Sequence, residues 1–397
     1  MSATSPEAGA VQEDPAAGST LSAGVTAAIV VAALAAVCFA IFCIVQLLIW
    51  RRRRRLQRAR VSVRYSSPQE DPEGAHLTSV KKINGFTFIN PVMDAEDKDY
   101  SGNTLSYVGL KKLMDHQEEI HEEFLMLPTF LPKFSTLPPR CEGKNRYSTV
   151  IPEPSTRVSL SLSPGDETSG YINANFVTGY NDEPVSYIAT QAPMRRTVDD
   201  FWRMMWEQGS EVIVMLTDLE ELGVAKCEEY WPIPTDGDDT LRIYGDFEVR
   251  LVDMEVQQYW TYSKLVLRHV SDEAEREVHH FWYTAWPPEG VPPRPSTVLD
   301  FLLQVRDFHD DTSGPVTVHC SPGTGRTGAV IAIDICMQHE FDESNTVDIL
   351  RTVRNLRRDR AGAVETREQY TFIYKAMYEY ARRRCSPATS TSSSVNA

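Results

Sequence analysis

Val316-Thr-Val-His319-Cys320-Ser321-Pro322-Gly323-Thr324-Gly325-Arg326-Thr327-Gly328 is the stretch from which the rest of the chain is read. Residues 316–318 read as a short buried strand and those from Arg326 onward as a helix. Cys320 and Arg326 therefore stand at the two ends of a tight strand-to-helix loop. In such a loop the backbone N–H groups of Ser321, Gly323, Thr324 and Gly325 and the helix N-terminus converge on one point and favour a bound anion. The same field favours the thiolate of Cys320, the nucleophilic form of the side chain. The guanidinium of Arg326 has the fork that grips two oxygens of a phosphoryl group. Gly323 and Gly325 let the chain turn without steric cost, and the Thr327 hydroxyl is available to donate to the sulfur. A buried structural cysteine is the bland alternative, but it accounts for neither the arginine nor the glycines at this spacing.

Taken whole, this loop resembles the signature loop of the protein tyrosine phosphatases, and the resemblance runs over residues 144–384. Lys144-Asn-Arg-Tyr147 is similar to the family's phosphotyrosine-recognition loop, which implies that Tyr147 stacks on the substrate ring. Tyr171-Ile-Asn-Ala-Asn175, Gln191-Ala-Pro193 with Asp200-Phe-Trp202, and Lys226-Cys-Glu-Glu-Tyr-Trp-Pro232 resemble further family signatures and come in the family's order. The resemblance implies an α/β (α+β) domain, a highly twisted mixed sheet flanked by helices. It also implies a two-step reaction without cofactor or metal: Cys320 attacks phosphorus, and water then cleaves the cysteinyl-phosphate. Cys320, Arg326 and Thr327 are then the catalytic residues, and Tyr147, Ser321, Gly323, Thr324, Gly325 and Gln369 bind the substrate. Glu221, which orients Arg326, and His319 support them.

Hydrophobic patterning agrees with a mixed domain. Residues 212–216, 265–270, 277–284 and 316–318 read as strands, and 197–207, 297–308, 326–339, 347–356 and 368–383 as helices. Apolar residues between Leu110 and Leu127 recur at helical spacing and predict one more helix, packed on the domain.

Two departures from the family pattern bear on turnover. The family's mobile loop reads Trp-Pro-Asp, its aspartate protonating the leaving oxygen, whereas here Trp286-Pro287 is followed by Pro288 and Glu289. Proline has no proton to give, and neighbouring side chains of an extended loop point in different directions, so Glu289 is one residue out of register. The family's water-positioning glutamine corresponds to Glu365 in Val364-Glu-Thr-Arg-Glu-Gln-Tyr370, while Gln369 is kept. Pro322 also lacks an N–H and removes one donor from the anion cradle.

Upstream of the domain the composition changes. Residues 23–50 are almost all apolar, enough for a transmembrane helix, and Arg51, Arg52, Arg53, Arg54 and Arg55 follow at once. Positive flanks stay in the cytosol. The chain therefore reads as a single-pass protein with residues 1–22 outside and the catalytic-type domain, 105–385, in the cytoplasm; the family resemblance implies the plasma membrane. Residues 51–104 are a basic juxtamembrane segment and flexible tether, and 386–397 a disordered tail. The arginines would also attract anionic lipids. A net charge of −15 argues against nucleic-acid binding, and the seven cysteines have no metal or redox spacing.

Arg58-Ala-Arg-Val-Ser-Val63 resembles the kinase-docking motif of receptor-like phosphatases that bind MAP kinases. Ile151-Pro-Glu-Pro-Ser-Thr-Arg-Val158, Val347-Asp-Ile-Leu350 and Leu356-Arg-Arg-Asp-Arg360 lean toward the same branch. Three readings stay open at this point: a membrane-anchored tyrosine phosphatase with impaired turnover, a pseudophosphatase that holds phosphotyrosine proteins, and a scaffold that docks a MAP kinase.

Overall fold

The computed structural model describes residues 80–83, 86–89, 103–130, 136–180, 183–234, 240–271, 273–309, 314–341 and 344–385. The apolar span at 23–50, the basic stretches that follow it, and the segments 1–22 and 386–397 lie outside the described residues. Among the described residues no helix is long and apolar enough to cross a membrane.

Within the segment expected to be a plain tether, the backbone forms an antiparallel pair, β1 (Val80–Ile83) and β2 (Phe86–Ile89), with Ile83 opposite Phe86. The sequence signal is Asn84-Gly85, the dipeptide that two-residue hairpin turns favour. A two-residue strand, β3 (Leu105–Ser106), then leads into helix α1 (Tyr107–Asp115), whose first turn is capped by the Ser106 hydroxyl accepting from Gly109 N–H at 3.4 Å. The single helix expected from 110 to 127 is in fact two. The chain breaks at His116 (φ −131°, ψ 62°) and restarts as α2 (Gln117–Met126). On an unbroken helix Glu123 would point roughly 140° away from Leu110. The break lets Ile120 and Glu123 reach the same packed interior as Leu110 and Leu113.

The domain is built on one mixed sheet. In chain order its strands are β4 (Arg157–Ser159), β5 (Tyr171–Val177), β6 (Tyr187–Gln191), β7 (Val212–Met215), β10 (Leu241–Tyr244), β11 (Phe247–Val256), β12 (Trp260–His269), β13 (Glu275–Tyr283) and β14 (Val316–Cys320). A small hairpin of β8 (Glu220–Glu221) and β9 (Val224–Ala225) projects between β7 and β10 in sequence. The spatial order is β10-β11-β12-β13-β7-β14-β6-β5-β4. The central pairs β13–β7, β7–β14 and β14–β6 are parallel and the flanking pairs antiparallel. Parallel strands are buried on both faces, and every residue of β6, β7 and β14 is buried.

Side chains alternate across β14. Val316, Val318 and Cys320 join the interior formed with α4 (Pro295–Arg306), α5 (Gly325–Ile335) and α7 (Arg367–Cys385). His319 faces the other way, edge-on to Phe201 of α3 (Val198–Glu207). Helix α5 ends sooner than the apolar run predicts: from Cys336 to Phe341 the chain widens into a π-helical turn. A strand β15 (Thr346–Val347), paired with β3, and helix α6 (Ile349–Asp359) complete the domain.

Candidate functional site

Cys320 ends β14 and is 2% exposed. The four residues after it turn their carbonyls outward. Ser321 O accepts from Ala192 N–H at 3.1 Å, Pro322 O and Gly323 O from the guanidinium of Arg360 at 3.1 and 3.0 Å, and Thr324 O from Gly328 N–H at 2.7 Å. With the carbonyls held outside, the N–H groups of Gly323, Thr324 and Gly325 are left to the loop's interior and the first turn of α5, Pro322 supplying none, and that arrangement favours an anion. Gly323 is indispensable to this turn: its φ is +71°, and a Cβ there would lie 2.1 Å from Thr190 O. A Cβ on Gly325 would meet the Gln369 amide at 2.8 Å.

Arg326 is held by Glu221 and by backbone carbonyls. Its Nη1 donates to Glu221 Oε1 at 2.5 Å and Leu216 O at 3.0 Å, and its Nη2 to Glu221 Oε2 at 3.1 Å. The same Nη2 reaches the carbonyls of Pro287 and Pro288 at 3.1 and 3.3 Å. A phosphoryl group in the loop would therefore use Nε–H and compete with two proline carbonyls for Nη2. Position 288 contributes only that carbonyl, and both Pro288 and Glu289 are exposed. Trp286 is buried and anchors its own loop, donating from Nε1 to Gly290 O at 3.2 Å.

Tyr147 stands over the loop, with its hydroxyl 2.8 Å from Ser321 Oγ, which in turn donates to Lys226 O at 3.0 Å. Its segment is fixed from below by a residue the sequence reading left without a role: Gln191 accepts from Arg146 N–H at 2.8 Å and donates to Lys144 O at 2.9 Å. Gln369, in the first turn of α7, accepts from the N–H of Glu365 at 2.9 Å and of Thr366 at 3.3 Å and so ties the segment before the helix to it. Glu365 itself is exposed.

One expectation fails. The Thr327 hydroxyl is buried without a hydrogen-bond partner, so it does not donate to the Cys320 sulfur. Thr327 lies in the first turn of α5, whose packing encloses the whole residue.

Behind Cys320, Tyr230 OH bridges His319 Nε2 at 2.7 Å and His280 Nε2 at 2.8 Å. A hydroxyl has one proton to give, and this one also has Met215 Sδ within reach at 3.7 Å, so at least one of the two imidazoles donates to it. Burial pushes both histidines down to about 3; the Cys320 backbone opposes the shift at His319, and the neighbouring His319 adds to it at His280.

The largest omission from the sequence reading is Arg360. It is 1% exposed and bonds Asn175 Oδ1 at 2.9 Å as well as the two loop carbonyls. In Leu356-Arg-Arg-Asp-Arg360 it looks like one of a solvated run of charges, and no local signal marks it as buried. Among the described residues no group of three or more His, Cys, Asp or Glu side chains could hold a metal ion.

A family model described as protein-tyrosine phosphatase matches residues 142–379. The Lar-like tyrosine-protein phosphatase of Caenorhabditis elegans is 46% identical over 236 residues, 59% of this chain and 10% of that protein. The human receptor-type tyrosine-protein phosphatase R is 39% identical over 314 residues, 77% of this chain and 46% of that protein. The human non-receptor type 7 tyrosine-protein phosphatase is 37% identical over 284 residues, 71% of this chain and 76% of that protein. The chain thus spans less than half the length of the first two relatives.

Proposed function

This chain belongs to the protein-tyrosine phosphatase family, and from that premise we propose that it is a membrane-anchored phosphatase of phosphotyrosine proteins whose turnover is impaired in both half-reactions. The observation that carries the reading is the outward-held loop from Ser321 to Thr324 with Arg326 clamped beside it, opposite a position 288 that offers no proton. In the first step the Cys320 thiolate bonds to phosphorus, the P–O bond to the aryl ring breaks, and the phenolate leaves unprotonated and takes its proton from water. Arg326 and the loop amides stabilise the equatorial oxygens. In the second step water attacks phosphorus, the S–P bond breaks, phosphate departs and the thiolate is restored. An anionic Glu365 repels the attacked phosphoryl group, where the family has a neutral amide.

Membrane anchorage is inferred from residues 23–50 and is in keeping with a receptor-type relative. Arg58 to Val63 extends the proposal to docking of a MAP kinase. A second reading, a binding module that captures phosphotyrosine without turnover, draws support from Pro288, which has no proton to give, and from Glu289, one residue out of register and exposed.

Turnover and phosphopeptide affinity of the full chain in detergent, beside Pro288→Asp and the double variant with Glu365→Gln, decide between them. General acid catalysis contributes about 10²–10⁴-fold, and a gain of that order in Pro288→Asp with unchanged affinity is expected. No gain in either variant would refute the assignment of what limits the rate. A wild type that binds phosphopeptide but never forms a phosphoenzyme is the binding module.

A further inference from the structure

Arg357 is buried in the last turn of α6 and forms no ion pair among the described residues; every hydrogen bond it makes goes to a backbone carbonyl. Its Nε and Nη2 donate to Ala363 O and Val364 O at 2.9 and 2.8 Å. Its Nη1 donates to Leu127 O and Pro128 O, just past α2, at 3.3 and 3.4 Å. The Phe124 ring of α2 covers the guanidinium at 5.2 Å. One side chain thus ties the end of the leading helix pair to the segment that carries Glu365.

That segment is strained. Val364 has φ +56°, a left-handed conformation that a β-branched residue adopts only when its surroundings hold it there. Two contacts hold it: Arg357 on its carbonyl, and Thr324 O accepting from its N–H at 3.4 Å. The next residue, Glu365, bonds through its N–H to Gln369, whose amide lies against Gly325 of the anion loop. On its other side α2 is fastened to α7, since Glu123 accepts from Tyr370 OH at 2.5 Å and from Tyr374 OH.

We propose that Arg357 is a positioning residue for hydrolysis of the phosphoenzyme, and that the helix pair α1–α2 acts on this second half-reaction through it. The inference rests on the phosphatase reading above. The first half-reaction is largely insulated, because Arg326 and the carbonyls of Ser321, Pro322 and Gly323 are held by Glu221, Leu216, Ala192 and Arg360, bonds in which Arg357 takes no part; of the loop carbonyls only Thr324 O meets the Val364 segment, and Gly328 N–H holds it as well.

The test uses the full chain in detergent with a good-leaving-group aryl phosphate, following formation and decay of the cysteinyl-phosphate by rapid quench, for wild type, Arg357→Lys and Phe124→Leu. A misplacement of about 1 Å can cost up to about 10²-fold in rate, so decay in Arg357→Lys should slow about 10-fold or more. A smaller slowing, about 2–3-fold, is expected for Phe124→Leu, with formation and phosphopeptide affinity unchanged in both. Decay at the wild-type rate in both variants overturns the proposal, as does a parallel loss of formation and decay. If Arg357→Lys does not fold, Phe124→Leu decides alone. A wild type that forms no phosphoenzyme brings down the phosphatase reading itself, an outcome distinct from normal phosphoenzyme with unaltered decay.

Discussion

Arg360 shows how a single buried charge can set a binding surface it never touches. Its guanidinium is fully enclosed, and burial pushes it down to about 10, which leaves it charged at neutral pH. It faces three acceptors and no carboxylate: Pro322 O, Gly323 O and Asn175 Oδ1. In Arg360→Leu those acceptors would be buried without donors, each costing about 1–3 kcal/mol. The two loop carbonyls would then be free to turn inward and place negative dipoles where the anion belongs. We expect a loss of at least about 3 kcal/mol in urea unfolding, together with loss of binding of an oxyanion such as vanadate, followed by calorimetry. A variant that unfolds more readily but binds vanadate as the wild type does would leave Arg360 a structural residue only. The departures at 288 and 365 could be read from sequence because they are changes of chemical type at fixed spacing. Arg360 could not, because a buried arginine and a solvated one are the same letter.

At the scale of elements, the turn from β14 into α5 has one backbone position without latitude. A Cβ on Gly323 would strike Thr190 O at 2.1 Å, and Thr190 belongs to β6, which pairs with β14 through Thr190 and His319. Gly323→Ala therefore sets left-handed strain and a backbone clash against the central parallel pair, and we expect about 2–4 kcal/mol of destabilisation. Gly290→Ala is the control, since its φ of +77° carries strain but a Cβ would meet nothing within 4 Å, and a cost of about 1–2 kcal/mol is expected. Equal losses in the two, measured by thermal and urea unfolding, would show that the clash is relieved by movement of the loop. The strand, the helix and the loop between them were legible because composition and period change together there. The break at His116 and the π-helical turn after Ile335 were not, because the residues on either side of each keep a helical pattern in the sequence. The hairpin of β1 and β2 had a local signal in Asn84-Gly85, overlooked in a polar stretch.

For the molecule as a whole, the pair of neutral histidines behind Cys320 ties folding to pH. His280 and His319 are held at about 3 by burial, from an ordinary value of 6.5, and His279 is lowered by the same cause. Below pH 6.5 the unfolded chain takes up protons that the folded chain refuses, so stability rises with pH in this range and is lost as pH falls from 6.5 toward 3. Buried carboxylates act with the opposite sign, because burial raises Asp199, Asp200, Asp218, Asp348 and Asp359 above their ordinary 3.8. Protonation of these groups stabilises the fold toward acid, an effect that grows close to their own range and confines the histidine signal to its upper end, between about pH 6.5 and 5. Over that interval each of the two fully buried histidines contributes at most about 2 kcal/mol. Urea unfolding at pH 7 and pH 5 should therefore differ by roughly 3–4 kcal/mol, with His280→Gln, which cannot titrate, showing a pH slope smaller by about one proton. Stability that is flat between the two pH values, or a slope that His280→Gln leaves unchanged, would mean that the Tyr230 bridge opens and lets the imidazoles protonate within the folded protein.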